Sequence, residues 1–242
     1  MELTDPALLV TGLSFAGFRL LNGKLLRLVP TPGSALRNPW KWRNIWTSFI
    51  HSLLTGIWAL LGFYLHPEMA EDLISTHSAF SLSLVAVSIG YFIHDFVDML
   101  QNQKLHQSWE LLFHHTVVIT CFGISMLLHR YIGFAVVALL VEINSIFLHL
   151  RQILLMANLL KATVYRLNSL LNLGTYVIFR ISTLAWMTRW LVLNRDNIPL
   201  LLYTIGSVSM AIMTVMNIVL FYRLLRSDFL KSARDPPKEK DK

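Results

Sequence analysis

Charge is scarce in this chain. Only 14% of its residues are Asp, Glu, Lys or Arg, while 55% are hydrophobic and the mean hydropathy is +0.54. Soluble domains carry about 25% charged residues, so a water-facing surface of ordinary size cannot be covered, and a polytopic membrane protein is the class that fits. Cysteine is scarcer still. Cys121 stands alone, which excludes an intramolecular disulfide framework and leaves the redox compartment unread. Fixed-period repeats and heptads are missing, and low complexity is confined to the C-terminal tail. No basic stretch or small-residue cleavage site frames the first apolar run, so it is expected to be a retained helix rather than a cleaved leader. The length accommodates about seven spans of ~20 residues, with no room for a separate soluble domain.

The expected fold class is all-α, a bundle of about seven transmembrane helices. The spans are read at about Ala7–Leu28, Ile45–Leu65, Ser78–Leu100, Trp109–Leu128, Ile132–Met156, Leu167–Leu193 and Leu200–Leu225. A joint containing Pro30, Pro32, Gly33 and Pro39 separates the first from the second, because helix interiors do not tolerate proline. Trp40-Lys41-Trp42-Arg43-Asn44-Ile45-Trp46 follows, and interleaved Trp and cations suit the headgroup layer better than a nucleic-acid patch. The domain division is therefore 1–43 for the first helix with its basic linker, 44–226 for a six-helix domain, and 227–242 for a polar tail expected to be disordered. With the N-terminus outside, sixteen Lys and Arg fall on inside segments and three (Arg130, Arg189, Arg195) on outside ones. That bias gives the seven spans a cytosolic C-terminus.

Against this apolar background, one stretch concentrates ionisable groups: Gly90-Tyr91-Phe92-Ile93-His94-Asp95-Phe96-Val97-Asp98, then a turn, then Trp109-Glu110-Leu111-Leu112-Phe113-His114-His115. Such groups are costly at membrane depth unless paired or hydrated, and so mark a candidate site. The short turn makes the two helices antiparallel neighbours near the cytosolic side. His94 and Asp98 are spaced i, i+4 and share a face, while Asp95 shares its face with Tyr91. Adjacent histidines diverge on a helix, so one is expected to face the interior and the other to support it. Glu142, Ser145 and His149 form a stripe on the fifth span, beside Asn144. Arg180, in the sixth, is the obvious counter-ion for Glu142, in a functional site or as a structural pair. His51, Ser52 and Thr55 give the second span a polar face.

An imidazole beside a carboxylate can act as general base or, itself acylated, as nucleophile. That suits acyl transfer from a soluble thioester to a lipid acceptor. Histidines and acids on neighbouring helices can also bind iron or zinc. Here only His94-x3-Asp98 and the His114-His115 pair qualify, neither in the H-x-x-H-H form, so no metal is expected.

At these residues the chain resembles the TLC-domain family, which includes the ceramide synthases. The resemblance rests on Gly90-Tyr91-Phe92-x-x-Asp95-x-x-Asp98, on Trp109-Glu110-x-x-x-His114-His115 and on Leu139-Leu140-Val141-Glu142-Ile143-Asn144-Ser145, and it covers roughly Asn44 to Arg226. It implies a curved helix bundle around a cavity with the paired histidines and acids pointing inward. Where ceramide synthases carry His-Asp-x-x-Asp, this chain has Val141-Glu142-Ile143-Asn144-Ser145, so one acid is kept as Glu and the other lost. The departure weighs against sphingoid-base acylation, which stays as an alternative beside other acyl chemistry.

Further phrases (Pro30-Thr31-Pro32, His51-Ser52-Leu53-Leu54, Leu148-His149-Leu150-Arg151) are similar to one branch of the family. That branch implies regulation of membrane phospholipid composition and fluidity by limiting polyunsaturated chains. The catalytic candidates are His114, His115, Asp95, Asp98 and Glu142, with His94, Tyr91, Asn144, Ser145, Arg180 and His51 lining a substrate site. No resident cofactor is expected, acyl-CoA being a co-substrate. The partners expected are membrane phospholipids or other acyl lipids, a homo-oligomer being compatible and nucleic acid not. A non-catalytic lipid-binding or channel-modulating protein is the alternative class. The plasma membrane is the expected location. The endoplasmic reticulum is second, because Lys238-Glu239-Lys240-Asp241-Lys242 fits a K-x-K-x-x retrieval pattern.

Overall fold

A computed structural model describes residues 5–24 and 27–230. The expected disordered tail and its lysine pattern, from 231 onward, lie outside the described residues, as do Leu25 and Leu26 of the first expected span.

Helix starts follow local chemistry. Asp5 accepts from the Ala7 N–H at 2.8 Å and Pro6 opens α1 (Pro6–Gly23). Asn38 caps α2 (Pro39–Leu65) through the Lys41 N–H at 3.0 Å, again with proline in the first turn. Both use proline where its missing N–H does no harm. A single helical turn, α3 (Glu68–Glu71), precedes α4 (Ala79–Asn102), which opens with a Ser78–Ser81 capping box. Only Gln103 and Lys104 separate α4 from α5 (Leu105–Leu128), which forces the antiparallel pairing. Then come α6 (Ile132–Leu139), α7 (Glu142–Met156), α8 (Thr163–Tyr176), α9 (Thr183–Leu193) and α10 (Leu200–Leu225).

Among the described residues, six helical runs are long and apolar enough to cross a membrane. The first expected span, α1, is not among them. It packs along α4 and also touches α2. Its approach to α4 is close because Gly90 has no side chain: a Cβ there would sit 2.4 Å from the Thr11 carbonyl and 2.6 Å from Ser14 Cβ. Small residues permit such approach where lipid supplies no hydrophobic drive between helices, and Ser14 Oγ donates to the Val87 carbonyl at 2.7 Å across it.

The other helices form a ring: α5 packs on α4, α4 on α2, α2 on α7, α7 on α8, α9 on α10, and α10 returns to α5. α6 contacts α2, α4, α5 and α9 and closes one end. Two departures from regular winding interrupt it. The fifth expected span, read as one helix, breaks at Leu140–Val141. There Leu140, Val141, Ile143 and Asn144 each donate to the carbonyl three residues back, at 3.1–3.2 Å, an overwound turn. In the sixth, Val177–Ser182 winds as an underwound π-helix between α8 and α9. α2 crosses the overwound turn at Gly56, where a Cβ would lie 3.2 Å from the Ile143 nitrogen. The tail expected from 227 begins as ordered structure: Ser227 and Asp228 lie in a π-helical turn, Arg226–Leu230, held by Arg151.

Two outcomes test these contacts. Gly90→Val places carbon atoms inside the α1 backbone and lowers stability by about 3 kcal/mol in thermal unfolding. A wild-type melting temperature would contradict the close approach. At the other end of α1, His129 Nε2 lies 3.0 Å from Asp5 Oδ2, and this bond, with the Ala7 N–H, holds the Asp5 carboxyl below the ordinary aspartate value of 3.8. A lowered carboxylate stabilises the fold above its unfolded value and ceases to as pH falls through the lowered one. Asp5→Asn keeps a capping side chain but loses the charge. It therefore melts lower than wild type at neutral pH, and the gap closes as pH is taken below 3.8.

Candidate functional site

The ring encloses a cavity of about 1110 Å³, larger than a typical small-molecule pocket. It runs from Lys41, Gln103 and Arg223 at one end to Ile198 and Leu202 at the other, and its walls are mainly apolar. Polar groups gather in the middle. Of the expected site residues, His51, Tyr91, Asp95, His114, His115, Glu142, Ser145 and Arg180 line it, whereas His94, Asp98 and Asn144 do not.

The central contact joins α5 to α4. His115 Nε2 lies 3.1 Å from Asp95 Oδ2, each side chain 4% exposed, and His115 Nδ1 lies 2.7 Å from the Leu111 carbonyl. Both partners are acceptors, so both ring nitrogens carry hydrogen, or else the carboxyl does. Either way the pair is neutral overall, the form that a low-dielectric interior tolerates. Asp95 Oδ1 accepts from Asn44 Nδ2 at 2.6 Å, and Asn44 also reaches Asp98 Oδ2 at 3.2 Å. Trp40 Nε1 donates to the same Asp98 oxygen at 2.8 Å. The Trp-rich start of α2, expected at the headgroups, thus turns Trp40 inward and buries Trp42. Asn44 and Trp40 were absent from the sequence-based site; a lone Asn among tryptophans gives no periodic signal.

His114 also faces the cavity, its ring edge-on to His115 at 5.5 Å. The expected division of one inward and one supporting imidazole is therefore corrected: both line the cavity, and His115 is the one tied to an acid. His94 and Asp98 share a helix face without bonding. Asp98 serves Trp40, Asn44 and Asn102, whereas His94 packs edge-on to Phe15 of α1 with no partner for Nδ1 among the described residues. His51 stacks on Tyr91 at 3.7 Å, and its Nε2 likewise has no partner among the described residues.

The expected Arg180–Glu142 pair does not form. Glu142 accepts from Ser52 Oγ at 2.6 Å. Arg180 instead donates to Asn144 Oδ1 at 2.7 Å, Ser145 Oγ at 2.7 Å and Asn217 Oδ1 at 2.9 Å. The reason lies in the backbone: the overwound turn sets Asn144 and Ser145 toward the π-helical turn that carries Arg180, while Glu142 points at α2. Asn144 is therefore a structural clamp outside the cavity. Asn217 was missed because a single Asn in an apolar run looks like any tolerated polar residue. Arg151, two residues beyond His149 on α7, is engaged with Asp228 and Ser227. Among the described residues, no group of three or more His, Cys, Asp or Glu is placed to hold a metal ion.

Among the described residues the bundle is all-helical, and its long apolar helices make it an integral multi-pass membrane protein. The TLC domain (TRAM, LAG1, CLN8) matches residues 41–226, and the chain belongs to that family. It is 68% identical to TLC domain-containing protein 2 of Danio rerio over 100% of this chain and 98% of that one. It is 44% identical to TLC domain-containing protein 2 of Homo sapiens, over 97% and 89%. Identity to TLC domain-containing protein 1 of Homo sapiens is 37%, over 100% and 98%.

A double-mutant cycle tests the central contact. Asp95→Asn and His115→Gln each destabilise, and their coupling exceeds about 1 kcal/mol, as for buried groups in one network. A coupling near zero would mean that the two side chains do not meet.

Proposed function

We propose that this protein regulates membrane phospholipid composition and fluidity, limiting polyunsaturated acyl chains, through an acyl-transfer pocket. The observation that carries this is the neutral His115–Asp95 pair in the wall of a long, mainly apolar cavity, with a second imidazole beside it. The apolar length suits an acyl chain, and the polar middle suits the carbonyl where chemistry occurs.

The bonding pattern divides the roles. Both nitrogens of His115 are engaged, so it has no lone pair to offer and acts as the fixed, orienting member with Asp95. Among the described residues no hydrogen bond occupies His114, which is the group available to work. As nucleophile, a His114 nitrogen attacks the thioester carbonyl of acyl-CoA, the thiolate leaves, and an acyl-imidazole forms. The nucleophile of the acceptor lipid then takes the acyl group and His114 is restored. Glu142, with Ser52, lines the site as an acceptor for the incoming nucleophile's proton. Ceramide-synthase-like N-acyl transfer uses the same groups with a sphingoid amine as acceptor. The second reading, a non-catalytic lipid-binding or channel-modulating protein, draws on Ser145: where ceramide synthases carry a second acid, this neutral hydroxyl lines the cavity and accepts from Arg180 Nη2 at 2.7 Å.

The proposed topology counts α1 as a seventh membrane element and puts both ends of the α4–α5 turn, Arg223 and the C-terminus in the cytosol. The Lys41–Gln103–Arg223 end of the cavity then faces soluble acyl-CoA. The plasma membrane is the proposed location, with the endoplasmic reticulum second.

Lipid mass spectrometry on cells expressing wild type, His114→Ala and His114→Ala/His115→Ala tests the catalytic reading. Wild type lowers the polyunsaturated share of phospholipid chains, and His114→Ala abolishes that shift at equal expression. A full shift in the double variant contradicts catalysis and favours lipid binding alone.

A further inference from the structure

Every acid in the cavity wall has a protein partner, but the cation in its middle does not have an anionic one. Asp95 is taken by His115 and Asn44, Glu142 by Ser52, and Glu110 by Arg223 at 2.7 and 2.9 Å. Arg180 has only neutral partners among the described residues. A guanidinium carries five N–H donors, and three are accounted for: Nε to Asn144, one on Nη1 to Asn217 and one on Nη2 to Ser145. One N–H on each terminal nitrogen is left over.

The cage is built to hold this state. Asn144 Nδ2 donates to Asn172 Oδ1 at 2.9 Å and Asn217 Nδ2 to the Met213 carbonyl at 2.8 Å, so both amide oxygens are committed to the guanidinium. The Tyr176 ring lies 5.5 Å from its carbon. A charge surrounded only by neutral dipoles in a membrane interior is under-compensated. This one lines a cavity large enough to admit a counter-ion.

We propose that Arg180 is an anion-binding residue and that the cavity takes a long-chain fatty-acid carboxylate. The proposal rests on the cavity being an acyl-lipid pocket and adds a bound state in which the free acid occupies it. Donors on the two terminal nitrogens of one guanidinium suit the two oxygens of one carboxylate. A phosphate monoester needs more: it brings further charge and oxygens, and the other cations of the wall are Lys41 in the first turn of α2 and Arg223 in the last turn of α10, the latter held by Glu110. From Arg180 the wall continues along α9 through Leu184, Met187 and Leu191, the last about 16 Å on at 1.5 Å per residue. That apolar track receives the chain.

The test is a thermal-shift titration of the full chain in phospholipid nanodiscs with oleate, oleyl alcohol and oleyl phosphate. Wild type binds oleate at least about tenfold more tightly than the alcohol, the size expected for charge-assisted hydrogen bonds. Arg180→Gln binds oleate no better than the alcohol, and Arg180→Lys keeps part of the preference. Equal binding of oleate and alcohol by wild type, a comparison that needs no variant, overturns the carboxylate site and leaves the lipid pocket standing. Oleyl phosphate binding more tightly than oleate also overturns it. If neither chain binds, the acyl-lipid pocket itself is wrong.

Discussion

Within a bilayer no water stands in for a missing hydrogen-bond partner, so a polar side chain must find its partner on another helix. The His115–Asp95 contact meets that requirement at the centre of this fold. Asp95 cannot sit 4% exposed unless α5 turns His115 toward it and α2 brings Asn44 to its other oxygen. One carboxylate therefore sets the rotation of three helices about their axes. Trp40 and Asp98 extend the same network by one more pair. The cavity is what remains between helices whose orientations are set by these bonds rather than by close packing across the middle.

The opposite wall solves the same problem with backbone geometry. The overwound turn before α7 and the π-helical turn before α9 face each other, and between them they gather Asn144, Ser145, Asn217 and Arg180. A regular helix in either place would rotate these side chains out of register. Such irregularities are common where function needs a side chain at a position that regular winding does not offer. One wall thus carries a neutral acid–imidazole pair and the other a caged cation. The two differ in what they leave for a ligand: an imidazole, His114, on the first, and two N–H donors on the second.

Much of this was legible in the residues. Hydropathy located the six long spans because a run of apolar residues leaves few alternatives. The stretch around Asp95 and His115 stood out because ionisable groups are rare in such runs. The rotation of α5 was not legible: adjacent histidines must diverge, but which one meets an acid depends on a neighbour's orientation. The break at Leu140 was hidden because every residue from Phe134 to Val141 suits a continuous helix. Arg180 and Glu142 looked paired because opposite charge is the simplest partner rule, and the rule failed where three neutral groups did the same work. Asn44, Asn172 and Asn217 carry no pattern by themselves; their roles follow from contacts far away in sequence.

The central claim is that an enclosed cavity beside a His115–Asp95 pair holds a lipid. An experimental density map of the full chain in phospholipid nanodiscs tests it most directly. The account predicts Asp95 within hydrogen-bond distance of His115 and an elongated lipid-like density beside His114 that ends at Arg180. A collapsed interior filled by side chains, or a map with His115 turned toward the surrounding bilayer, would contradict it.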